Sequence, residues 1–178
     1  RVEDLLSDEV DIAIRIMSEP PPMLVAREMG PVRYVACASR GHAQAHGLPA
    51  QVDDLRGVPL VTSNVVGRQL RLSAYRGDER HVLTLEPTLV SENFGFLRQA
   101  VLAGIGVGIL PDYVVEEDVR RGHVLTALDD WRLRIFGDRM FMLYMPNRHH
   151  TRATATFIEY VLERARAVRA TEAGAESG

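Results

Sequence analysis

The residues best suited to chemistry in this chain are short polar side chains at the ends of apolar runs. Ser91-Glu92-Asn93-Phe94 stands before an apolar stripe at helical spacing, Phe94, Leu97, Val101 and Leu102. A serine or asparagine there can accept a hydrogen bond from an orphan first-turn amide. A helix start also carries free N–H groups and a partial positive charge, so it suits an anionic group. Two readings stand side by side: Ser91 and Asn93 only cap a helix, or the capped end also meets a ligand. Thr62-Ser63-Asn64 is a second polar trio, closing the short run from Val58. Ser39 closes the run from Pro31, and Met17 and Ser18 follow the run from Val10 to Ile16. Open α/β sheets bind ligands at loops leaving the carboxyl ends of strands. Met17, Ser18, Ser39, Thr62, Ser63, Asn64, Ser91, Glu92, Asn93 and Phe94 are therefore the candidate binding residues. Their hydroxyls, amides and backbone N–H groups suit a small carboxylate or a polar ring, with Phe94 as an apolar wall.

Catalytic and metal chemistry have no comparable set. No Gly-x-Ser-x-Gly elbow and no Ser-His-Asp order is legible. His42 and His46 are four residues apart, but Gly47 makes their segment a poor helix, and no cysteine or His-Glu partner accompanies them. His42, His46, His81, His123, His149 and His150 are expected at the surface, and no metal or cofactor is expected. Arg68, Arg71, Arg76 and Arg80 share a region with Asp78 and Glu79, which reads as a solvated hairpin.

Elements must position these groups. After Asn93 the helix stops at Gly104, which tolerates the left-handed conformation. Ile105, Val107 and Ile109 then alternate with Gly106 and Gly108, a strand with one bare face where another backbone can approach closely. Pro111 ends it. Arg1 to Ser7 reads as the tail of a helix. Val10 to Ile16 reads as a strand with Ile12, Ile14 and Ile16 on one face, and Leu24 to Met29 and Pro31 to Ser39 as two more. Val52 to Leu55 is one helical turn. Gln69 to Leu72 and Val82 to Leu85 pair across Gly77-Asp78. Tyr113 to Arg121 is a short helix, His123 to Leu128 a strand, Asp129 to Asp138 a polar linker and Met140 to Met145 an apolar strand. Thr151 to Arg169 is an amphipathic helix packed through Phe157, Ile158, Val161, Leu162 and Ala165. Alternating strands and helices predict an α/β fold with mainly parallel strands.

Composition bounds the function. Hydrophobic residues make up 46% and charged residues 25% of 178 residues, a globular balance. The net charge of −3 argues against this piece holding nucleic acid by itself. No apolar run reaches the roughly 20 residues that span a membrane. One cysteine, Cys37, excludes an internal disulfide and predicts a reducing, cytoplasmic setting with the thiol buried in its apolar run.

Four segments then carry a resemblance. Asp11-Ile12-Ala13-Ile14-Arg15-Ile16, Leu24-Val25-Ala26-Arg27, Cys37-Ala38-Ser39 and Ala103-Gly104-Ile105-Gly106-Val107-Gly108-Ile109-Leu110-Pro111, in that order, resemble the effector-binding domain of LysR-type transcriptional regulators from about Arg1 to Arg164. Arg40 and Gly41 depart from it, since many relatives place a proline after Cys-Ala-Ser.

The resemblance implies a periplasmic-binding-protein-like (type 2) fold, two Rossmann-like lobes joined by two crossovers around an effector cleft. The lobes would be residues 1–40 with 138–170, and 41–137, followed by a disordered tail at 171–178. It implies a winged helix-turn-helix ahead of Arg1 and a first lobe lacking its first strand. It also implies a small acidic or aromatic effector, a homodimer or homotetramer, and promoter DNA held only through the N-terminal domain. A solute-binding receptor of a transporter, or less readily an enzyme, could share that fold. A signal peptide upstream would mark the receptor, and turnover lost on substitution of Ser91 or Asn93 would mark the enzyme.

Overall fold

The computed structural model describes residues 11–63, 65–135, 137, 139–146 and 149–175, with side chains to residue 170. The expected helix tail at Arg1 to Ser7 and the candidate Asn64 lie outside the described residues. The chain divides into two compact units, Arg1–Pro31 with Gly137–Gly178, and Val32–Phe136. The expected division put residues up to 40 in the first lobe. Val32 to Ser39 instead belong to the second unit, because the strand they form is paired on both sides there.

In the first unit, β1 (Ala13–Met17) and β2 (Val25–Pro31) flank β11 (Arg139–Tyr144), both antiparallel to it. Leu24, Phe141 and Leu143 pack with Ala13, so Ala13 is buried while Ile14 is 40% exposed. The isoleucine face is also partly covered, since Ile12 packs against Met142, Ile158 and Leu162. The last helix runs from Arg152 to Ala175, beyond the expected stop at Arg169 and into the segment expected to be disordered. Ile158 and Leu162 are buried with Met142, and Val161 packs beside them. Phe157, expected on the packed side, is half exposed.

The second unit is an eight-stranded sheet. Its strands are β3 (Tyr34–Ser39), β4 (Leu60–Thr62), β5 (Leu70–Arg76), β6 (Glu79–Leu85), β7 (Leu89–Val90), β8 (Val107–Pro111), β9 (Val124–Ala127) and β10 (Arg132–Ile135). The order is β6-β5-β10-β3-β8-β4-β7, with β9 beside β3. Among the described residues, only β4 with β7 and β4 with β8 are parallel in this sheet; its other pairs are antiparallel. The expectation of mainly parallel strands fails because helices cross over only around β4 and β8, while hairpins and returns build the rest. β10 occupies the stretch expected to be a polar linker. Its arginines face water while Leu133 and Ile135 are buried, an alternation that an overall polar composition hid.

Three helices and one 3-10 turn cover this sheet. They are α1 (Arg40–His46), the turn at Val52–Gly57, α2 (Phe94–Leu102) and α3 (Asp112–Arg120). Cys37, Val61, Leu97, Val101, Leu110, Val115 and Val124 form the core between α2, α3 and the sheet. The end of α2 explains why β8 starts two residues later than predicted. Gly104, at φ 76°, donates to Val101 O at 3.0 Å, and Ile105 N donates to Ala100 O at 3.2 Å. Ile105 thus belongs to the helix cap. Gly106 follows with no room for a side chain, since a Cβ there would lie 2.2 Å from Pro59 O.

Candidate functional site

The parallel part of the sheet sets up the site. β4 and β7 run side by side, pairing Thr62 with Val90, so the residues that leave them emerge together. Ser91 N donates to Thr62 O at 3.2 Å and holds the second loop against the first. Ser91 Oγ accepts from Asn93 N at 3.1 Å, and Asn93 Oδ1 accepts from Phe96 N at 3.0 Å. Asn93 is therefore the cap of α2, and Ser91 braces the cap. Their side chains satisfy some first-turn donors, while the helix uses none of its first amides internally.

Ser63 is different. It is 1% exposed, and its Oγ has no hydrogen-bond partner among the described residues. A buried hydroxyl without a partner costs on the order of 1–3 kcal/mol. Thr62, directly before it, is already satisfied: its Oγ1 donates to Ile109 O at 3.0 Å inside the sheet. The Thr62 hydroxyl is thus engaged within the sheet. Glu92 is exposed, and Phe94 is half-buried with its ring 6.4 Å from that of Tyr113 in an edge-on arrangement.

Ser39 does not join this group. β3 runs antiparallel to β8, so its carboxyl end lies at the opposite end of the sheet. Ser39 Oγ accepts from His42 N at 3.1 Å and caps α1. It sits near Gly104, at the far end of α2 from Asn93. His42, expected at the surface in a poor helix, is a buried member of α1, with Nδ1 3.2 Å from Gly104 O. The Ser39 cap offsets the weak helix propensity of that segment. Met17 and Ser18 belong to the other unit. There Met17 closes β1, and Ser18 O accepts from Arg139 Nη2 at 3.0 Å.

Two residues at the rim escaped sequence reasoning. Asp112 and Tyr113 follow Pro111, at the same end of the sheet as Ser63 and Ser91. Burial pushes the Asp112 carboxyl up, and burial with the Asp112 charge pushes the Tyr113 phenol up. The strand-end rule that selected the other candidates would have selected these too. Asp112 falls between Pro111 and the helix expected from Tyr113, and Tyr113 reads as the first residue of that helix. Among the described residues, no three His, Cys, Asp or Glu side chains gather as a metal set.

Residues 1–166 match the LysR substrate binding domain family. The chain belongs to that family. Its similarity to a probable HTH-type regulator, LtrA, of Klebsiella pneumoniae is 24% identity over 94% of this chain and 54% of that protein. An HTH-type regulator of Xanthomonas campestris is 30% identical over 72% of this chain and 38% of its own length. The chain thus spans about half, or less, of the regulators it matches. Among solved structures, the regulatory domain of the LysR-type regulator CrgA from Neisseria meningitidis has a TM-score of 0.72 at 20% identity, covering 91% of this chain and 78% of that one. The regulatory domain of AphB from Vibrio vulnificus has a TM-score of 0.63 at 25% identity, covering 92% and 80%. A LysR substrate-binding domain therefore has here the expected periplasmic-binding-protein-like α/β fold. Among the described residues, no helix is long and apolar enough to cross a membrane.

Proposed function

We propose that this chain is the effector-sensing and dimerisation domain of a cytoplasmic LysR-type transcriptional regulator. It binds a small acidic or aromatic metabolite, without turnover, at the Ser63–Ser91–Asn93 rim of the larger unit. The observation that carries this reading is the buried Ser63 hydroxyl, without a partner among the described residues, in the loop after β4 that the Ser91 N–Thr62 O bond holds against the approach to α2. An acidic group there would accept from Ser63 Oγ and from first-turn amides, and the helix dipole favours its charge. Phe94 and Tyr113 add an apolar flank for an aromatic body. The effector acts by differential affinity for two arrangements of the regulator, which shifts their populations. Promoter DNA would be held through the helix-turn-helix part of the full-length protein.

The test is thermal melting of the 178-residue chain with benzoate, succinate and glutamate. A ligand at about one hundred times its Kd adds roughly 2.7 kcal/mol to stability. The expected result is a rise in Tm with at least one acid that disappears in Ser63→Ala and Asn93→Ala. No shift with any acid, or a shift that both substitutions leave intact, would overturn the reading.

A further inference from the structure

The β6-β5-β10 end of the sheet buries one face and leaves the other open. Leu70, Leu72, Ala74, Leu83, Leu133 and Ile135 are buried. The open face carries Arg71, Ser73 and Tyr75 from β5, Arg80, Val82 and Thr84 from β6, and Arg132 and Arg134 from β10. None of these eight positions is acidic. The register places Arg132 and Arg80 on either side of Tyr75 in a single row. Their backbones lie about 10 Å apart across two strand spacings. The Arg80 guanidinium sits 5.7 Å from the Tyr75 ring centroid. Arg71 and Arg132 are exposed and form no ion pair among the described residues; Arg134 already has a partner.

Two nearby acids are engaged on the other side: Glu79 of the hairpin and Asp130 before β10 are both held by Arg76, which alternation puts opposite this face with Trp131. Asp78 is exposed in the turn, at the edge of the face. The run Arg68, Arg71, Arg76 and Arg80 therefore splits. Arg76 pairs with acids on the opposite side of the sheet, while Arg71 and Arg80 share a face with Arg132, which lies some fifty residues away in the chain.

We propose that this open face, with Arg80 and Arg132 flanking Tyr75 and Arg71 four residues along β5, docks on the phosphate backbone of duplex DNA. Guanidinium groups pair with phosphate oxygens through two parallel N–H bonds. Backbone contacts of this kind position a protein without reading sequence. A protein partner fits less well, since protein interfaces are more than half apolar, and Val82 is the single aliphatic side chain on this face. The choice of DNA rests on the regulator reading, in which the helix-turn-helix part brings duplex close. The chain's net charge of −3 works against such binding overall, so the contact depends on the local field of these arginines. Exposed charges more than about 10 Å away are largely screened at ordinary salt.

The test is fluorescence anisotropy of a labelled duplex of about 30 base pairs, titrated with the 178-residue chain at several salt concentrations. Three phosphate contacts predict log Kd rising with log salt at a slope of roughly 2 to 3. The triple variant Arg71→Ser, Arg80→Ser, Arg132→Ser should weaken binding at least tenfold and flatten the slope. The single variants Arg71→Ser and Arg132→Ser should each lower it by about one. They keep the proposal testable if the triple variant does not fold. A control triple at Arg56, Arg120 and Arg121, on other elements, should bind as the parent does. No binding at the lowest salt, or equal loss in the control, would overturn the proposal. So would poly-aspartate binding tightly where DNA does not, which would make the partner an acidic protein. Because no effector is present, a failed acid screen and a failed DNA titration are separate results.

Discussion

Arg98 and Asp118 are joined at two points: Nε to Oδ2 at 2.7 Å and Nη2 to Oδ1 at 2.8 Å. The pair ties α2, which carries the Asn93 cap, to α3, which begins with the rim residues Asp112 and Tyr113. Asp118 is buried, and its carboxyl is held below its usual range first by the Arg98 hydrogen bonds. Position and charge therefore coincide at this contact between the two helices bearing the rim, which the Phe94–Tyr113 ring pair and the packing of Leu97 and Val101 with Val115 also join.

Removing one partner should be costly, because it strands a buried charge. Arg98→Met is expected to lower stability by about 2–3 kcal/mol, somewhat under the value for a fully buried pair because Arg98 is partly exposed. The sign with pH follows from the depressed folded value. The pair's contribution is complete above the unfolded carboxylate value, near 3.9, and is lost as pH falls through the lower folded value. Urea melts of parent and Arg98→Met should differ equally at pH 7 and pH 5 and converge below about pH 4. An undiminished difference at pH 3 would contradict this.

Gly106 is required for close approach. A methyl group there would press on Pro59 O at 2.2 Å, a backbone atom that cannot rotate away. Gly106→Ala should cost more than about 3 kcal/mol or prevent folding, in the manner of an overpacked core. Gly41→Ala, in α1 with nothing within 4 Å, should be neutral or stabilising by up to about 1 kcal/mol. Chemical denaturation of the two variants makes the comparison.

Ser63 and Asn93 should separate stability from binding. Ser63→Ala removes an orphan hydroxyl, so the unliganded chain should be unchanged or up to about 1 kcal/mol more stable while acid binding falls. Asn93→Ala removes the α2 cap and should cost about 1 kcal/mol before any ligand is added. Calorimetry with and without the acid that shifts Tm reads both effects. A large loss of stability in unliganded Ser63→Ala would mean that the hydroxyl has a structural partner.

Cys37 should be silent. It is fully buried, and burial first of all pushes its thiol up to about 12. The thiolate is the reactive form, and it is essentially absent at neutral pH. Iodoacetamide at pH 8 should modify Cys37 only as fast as the chain unfolds. Prompt labelling of the native chain, followed by mass spectrometry, would refute this.

Much of the local structure was legible. Asn93 before Phe94, Leu97 and Val101 marked α2, because a cap and a helical apolar stripe agree. Gly77-Asp78 marked the β5–β6 turn, and the bare face at Gly106 and Gly108 marked the close approach to Pro59, Val101 and Cys37. Strand direction was not legible. Ser39 and Thr62 both end apolar runs, yet one lies at the far end of α2 and the other is spent inside the sheet. His42 looked like a surface histidine because its neighbours are small and polar. Its burial comes from Gly104, sixty-two residues later.

The sequence by itself determined the family, the glycine, proline and cap positions and the loops able to meet a ligand. These depend on φ limits, missing donors and short side chains, all properties of neighbours in the chain. Only the tertiary structure decided which loops share an end of the sheet, which hydroxyl is buried without a partner among the described residues and which arginines share one face. Those outcomes follow from strand register and direction, set by packing between segments that the chain keeps far apart.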